Sequence, residues 1–220
     1  MAYEYTTAAK IQEELRLSTA FGTTTLPTLN AVTSWIEEDS NHINDIGGRN
    51  YGDTQYTEYI DYDGSERIQL EHAPIISVNS LLYSSAGALG TSAYALDDTQ
   101  VEDTDFVVYT DRGEIKPLFQ VWSPKEGDRR IYIDYNAGYA ITPFTVQKLA
   151  TKMVAKRVLD SAIQNDITEK ATGKSVSVGS ISIVKAADVG VGQYKEIQMD
   201  IQSLKSELVK GTGILRYTNY

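Results

Sequence analysis

RRIYIDYNAGYAITPFTVQKLATKMVAKRV, residues 129–158, holds two periodicities in one run and decides the fold class. Ile131, Ile133 and Tyr135 alternate with Tyr132 and Asp134, the period-2 pattern of a half-buried strand. Asn136-Ala137-Gly138-Tyr139 breaks that strand, and Thr142-Pro143 opens a helix with proline at its first position. Val146, Leu149 and Met153 then fall on one helical face and Val154, Val158 and Ala162 on another, leaving Lys148, Lys152 and Lys156 as a wet stripe. The spacing predicts a helix to about Gln164, covered from two sides. In a chain of 220 residues a second subunit is the expected source of that second cover, so Val146, Leu149, Met153, Val154 and Val158 are candidate inter-subunit contacts.

Upstream, Thr6 or Thr7 can cap a short helix to Leu17 with Ile11 and Leu15 stacked, stopped by Phe21-Gly22. A second helix follows Pro27, with Leu29, Val32, Ile36, Ile43 and Ile46 on its dry face and Glu37, Glu38 and Asp39 mostly on the wet side. Gly47-Gly48 is its stop. From Tyr51 aromatic and β-branched residues take over in short runs. Tyr56–Tyr62, Asp63-Gly64 and Arg67–Leu70 read as a hairpin in which Gly64 supplies a positive φ. Further strands are expected from Pro74, at Phe106–Tyr109 and at Gly113–Leu118, with a long excursion over Ser84–Asp105.

Downstream of Asn165 a polar, Gly/Ser-bearing stretch leads to a short strand, Ile181–Val184, and a break at Gly190-Val191-Gly192. A last helix, Gln193–Lys210 with Gly211 as terminator, sets Tyr194, Ile197, Ile201, Leu204 and Leu208 at spacings of 3 and 4, a narrow seam of the kind that docks on another helix. The apolar-aromatic tail adds Ile214, Leu215, Tyr217 and Tyr220. Seam and tail together are the candidate partner-binding residues.

Composition bounds the chemistry. Forty-one per cent hydrophobic and 23% charged residues describe an ordinary globular protein, and the absence of Cys excludes disulfides, thiolate metal sites and a thiol nucleophile. A net charge of −10 argues against a grip on phosphate backbones. Leu17–Ile36 and Ala73–Leu96 are uncharged for long stretches, yet too rich in Thr, Ser, Gly and Pro for a membrane span. The opening MAYEYTTAAKIQEEL lacks the basic and apolar regions of a signal peptide, so the reading is a cytosolic product.

No catalytic, cofactor or metal motif emerges. His42 and His72 lack the spacing of a metal pair or a triad and read as structural. Asp61, Asp63 and Gly64 lack the remaining ligands of a calcium loop. Gly173-Lys174-Ser175 has Thr168 where a phosphate loop needs Gly, and Gly190-x-Gly192 has Lys195 where a dinucleotide loop needs Gly or Ala.

The order of segments is more informative. Two helices, then YTEYIDYDGSERIQLEHAPIISVNSLLY with its "PI-x-SV" at Pro74–Val78, then DFVVYTDRGEI, then the "Y-x-AGY" of Tyr135–Tyr139 running into a Pro-opened helix, resemble the head-tail adaptor (connector) proteins of long-tailed bacteriophages and tailed archaeal viruses. The resemblance covers about residues 7–165. It implies an α+β fold: a mainly helical core over 7–165 with an inserted antiparallel hairpin and sheet region at 51–135, and a C-terminal helical arm within an extension at 166–220. It implies no enzyme and no cofactor, but a virion protein assembled in the host cytoplasm. Such a protein forms a homo-oligomeric ring, of about twelve subunits, beneath a portal protein and above a stopper or tail-completion protein, and lets double-stranded DNA pass without specific binding. About twelve copies at −10 each would line the channel with like charge, over which DNA slides. The rivals are a carbohydrate-binding or depolymerising virion module built on the 15 Tyr and 2 Trp, and a stopper or neck ring.

Overall fold

The computed structural model describes residues 4–83, 102–118, 127–172 and 187–213. It shows an α+β fold of two units, residues 1–48 with 142–220, and residues 49–141.

The first unit is helical. Helix α1 (Ala8–Glu14) is capped by Thr7, whose side chain accepts from the Lys10 amide, and stops earlier than the sequence suggests, at Leu15 with Arg16 in the left-handed region. Helix α2 (Leu29–Gly47) is capped by Thr28 and closed by Gly48 at φ 63°, a conformation that glycine adopts at low cost. Helix α3 (Phe144–Thr172) continues past Gln164, and α4 (Ala187–Gly213) starts before Gln193 and runs through both Gly190 and Gly211. Isolated glycines cost a helix only about 1 kcal/mol each, which neighbouring turns offset. α3 packs against α1, α2 and α4, and α2 also packs against α4.

Those contacts revise the sequence reading of the lysine stripe. Lys148 is exposed, but Lys152 is only 8% exposed and its ammonium lies 2.7 Å from Glu14 of α1 and 2.9 Å from Asp200 of α4. Asp39, assigned to the wet side of α2, is 2% exposed and pairs with Arg157 of α3 at 2.8 Å. Charge misled because each group carries its partner on a different helix. Smaller polar ties join the same surfaces: the Thr6 and Thr151 hydroxyls lie 2.7 Å apart, and the Tyr5 amide donates to Ser40 Oγ.

Among the described residues the second unit holds two antiparallel three-stranded sheets. One has the order β1 (Thr54–Tyr62), β6 (Gly127–Ala137), β3 (Ile75–Tyr83); the other β2 (Ile68–Gln69), β5 (Glu114–Pro117), β4 (Phe106–Tyr109). The expected hairpin between Tyr56–Tyr62 and Arg67–Leu70 does not form. Gly64 does take a positive φ, but β1 pairs with β6 and the two-residue β2 pairs with β5. The physical reason is length: β6 has 11 residues with an apolar alternation, enough to pair along both edges, whereas β2 offers one buried side chain, Ile68. Ile131, Ile133, Tyr135 and Ala137 of β6 join Ile68, Leu81, Phe106 and Ile115 in one buried cluster drawn from both sheets.

Gly138 explains the "Y-x-AGY" signature. Its φ is 113°, a Cβ placed there would lie 2.0 Å from the Gly52 carbonyl oxygen, and its amide donates to the Pro74 carbonyl at 2.9 Å. The first residue of "PI-x-SV" and the glycine of "AGY" are thus one junction. Among the described residues no helix is long and apolar enough to cross a membrane.

Candidate functional site

The residues singled out in the sequence are placed as follows. Val146, Leu149, Met153, Val154 and Val158 are all buried within the chain, at 8% exposure or less, so the second cover of α3 is supplied by this chain's own helices. Ile197, Ile201, Leu204 and Leu208 are likewise buried, on the face of α4 that meets α3 and α2, with Tyr194 half-buried beside them under the Lys156 ammonium. The seam is a helix-docking surface, as its spacing suggests, but its partner is intramolecular. Ile214, Leu215, Tyr217 and Tyr220 lie outside the described residues, as do the segments 84–101, 173–175 and 181–184. Gly190 and Gly192 are inside α4, which is incompatible with a phosphate-binding turn.

His42 is exposed on α2. Asp61 accepts from the Arg129 amide at 2.7 Å, and Asp63 accepts from the Ser65 amide at 2.9 Å in an Asx turn; the Ser65 side chain first, then its amide, holds the Asp63 carboxyl below the usual range. Among the described residues neither aspartate belongs to a group of three or more potential metal ligands.

The sequence reading missed a cluster around His72. Glu58 stands on β1 in the same phase as Tyr56 and Ile60, so it points to the side where β6 places Ile133 and Tyr135. The Tyr135 hydroxyl, on a residue with no exposed surface, donates to Glu58 Oε1, and the His72 amide donates to that same hydroxyl at 3.2 Å. The Glu71 amide donates to both oxygens of Glu58, at 3.2 and 3.3 Å. The His72 ring stacks on Tyr56 with centroids 3.7 Å apart, and the Tyr56 hydroxyl accepts from Asn50 at 2.6 Å. Burial first, then the adjacent Glu58 carboxylate, pushes the Tyr135 phenol well above its ordinary range and keeps it a donor. Glu58, Glu71 and His72 each offer a ligand atom, all within 4.8 Å of one another. The available signal was a carboxylate on the apolar phase of a strand.

The opposite face of the β1-β6-β3 sheet is polar. Gln55 donates to Asp134, Asn79 donates to Asp134 and Asn136, and Asn136 donates to Asp53, forming a ladder of planar groups. At its end Tyr59 and Tyr132 sit with ring centroids 5.1 Å apart, and the Arg129 guanidinium lies 4.2 Å over the Tyr59 ring.

No family model and no curated protein sequence matches the chain. It is similar to a chain in a solved structure described as "Neck of empty GTA particle computed with C6 symmetry", at 19% identity over 70% of this chain and 77% of that one, with a TM-score of 0.48. A likeness of that size leaves function to be argued from the residues.

Proposed function

We propose that this chain is a structural protein of a tailed-virus particle, acting at the neck as a head-tail adaptor: a ring beneath the portal that extends the DNA channel toward the stopper or tail. The observation that carries this reading is an antiparallel β unit inserted between α2 and α3, closed by the Gly138–Pro74 junction, in the segment order of the adaptor proteins. Two further features support it. The net charge is −10, which suits a channel wall that DNA must pass without sticking. The buried seam of α4 leaves the tail, with Ile214, Leu215, Tyr217 and Tyr220, as the segment proposed to engage portal or stopper. Ring contacts then belong to exposed surfaces of the subunit rather than to Val146, Leu149 and Met153.

Sedimentation velocity of the protein alone and with its cognate portal particles tests this. Co-sedimentation in a ring-like ratio supports the adaptor; absence of association points to a stopper or to the reading below.

Glycan binding is favoured by one observation, the outer face of the β1-β6-β3 sheet, where a ladder of amides and carboxylates ends at Tyr59 and Tyr132. Sugars are held by this combination of planar hydrogen-bonding groups and an aromatic platform. A glycan array separates the two readings, since an adaptor retains no sugar.

A further inference from the structure

We propose that Glu58, Glu71 and His72 form a binding site for a divalent transition-metal ion of the zinc type. The donor set is two carboxylates and one imidazole, with all three ligand atoms within 4.8 Å of one another. That composition suits a borderline ion such as Zn²⁺, with water completing the coordination; a site for Mg²⁺ or Ca²⁺ would be built from oxygen alone. Zn²⁺ holds its ligands at about 2.0–2.2 Å, which brings them somewhat closer together than 4.8 Å. Glu71 is exposed and free to swing inward.

Two independent features of the surroundings point the same way. The first is preorganisation behind the ligands. The fully buried Tyr135 hydroxyl donates to Glu58 Oε1 and accepts from the His72 amide, so one rigid group on β6 fixes the carboxylate of β1 and the backbone of the third ligand. Stacking on Tyr56 limits rotation of the His72 ring. Outer partners of this kind orient metal ligands and raise affinity. The second is charge. Glu58 and Glu71 converge although neither forms an ion pair with Lys or Arg among the described residues, while Arg67 nearby in sequence is engaged by Glu114. A divalent cation would neutralise both carboxylates at once. Bound there, it would tie β1 to the segment that leads into β3, a cross-link between two parts of the chain that share no direct strand pairing.

The test is isothermal titration of chelator-stripped full-length protein with ZnCl₂, alongside MgCl₂ and CaCl₂. Saturable uptake of one Zn²⁺ per chain is expected, with a rise in melting temperature, no comparable response to Mg²⁺ or Ca²⁺, and at least a tenfold loss of affinity in Glu71→Gln. Glu71 is exposed, so that variant keeps the fold, which an unchanged melt without metal verifies. His72→Gln should weaken binding similarly, whereas His42→Gln on α2 should not. The proposal is overturned by absence of saturable Zn²⁺ binding, by undiminished affinity in Glu71→Gln or His72→Gln, or by loss of binding in His42→Gln.

Discussion

At the scale of single residues, Asp39 is a buried charge whose partner sits on another helix. Asp39 is 2% exposed; burial raises its carboxyl above the ordinary value, against the lowering effect of Arg157. Because the folded-state value lies above the unfolded one, the folded protein holds the extra proton between them, and stability contributed at this site falls as pH rises through that window. Asp39→Asn should therefore gain stability relative to the native protein on going from pH 4 to pH 7, measured by urea unfolding at both. Removing the partner is the harsher change. Arg157→Gln leaves a buried carboxylate uncompensated, with its Oδ2 lacking a hydrogen-bond partner among the described residues, and should cost about 2–4 kcal/mol at pH 7. A cost under 0.5 kcal/mol would contradict a role for Arg157 in compensating the buried Asp39 carboxylate. Gly138→Ala is a third case: positive φ and a carbonyl in the path of any Cβ should cost on the order of 2–3 kcal/mol or more, read as a fall in melting temperature.

At the scale of elements, α4 is the sharpest revision. Its spacing correctly marks a face that docks on another helix, but nothing in a periodic seam tells whether that helix belongs to the same chain. Ile197, at 1% exposure, should behave as core: Ile197→Ala is expected to cost about 2–5 kcal/mol in chemical denaturation of the protein without portal, where a seam reserved for a partner would cost little. Proteolysis gives a second reading. Lys205 lies inside α4, so trypsin should cut there no faster than the bundle opens, with or without portal. The starts of α1 and α2 were legible because Thr7 and Thr28 act locally, through a hydroxyl three residues from the amide it satisfies. Strand partners were not, because β6 meets β1 across some 75 residues of chain, and a turn dipeptide such as Asp63-Gly64 reports only that the chain bends. The metal-ligand cluster was hidden for the same reason: Glu58 and His72 are brought together by the Tyr135 hydroxyl of a third segment, not by any spacing between themselves.

For the whole molecule, the expected α+β class with strands set between helices is what the structure shows, and the β unit spans residues 49–141. Helix α4 belongs to the same unit as α1, α2 and α3. An adaptor with this charge should bind portal with a salt dependence set by protein contacts alone, and long duplex DNA added in competition should leave the portal complex intact, as gel filtration at low and moderate salt can show.

The junction at Gly138 has a consequence for engineering. Gly52 and Gly138, near the two ends of the β unit, approach each other through their backbones, so the two ends of that unit meet. A segment whose ends meet can be lengthened, shortened or replaced without moving its host, as insertions generally require. The β unit is in that sense a cassette whose two ends close on each other.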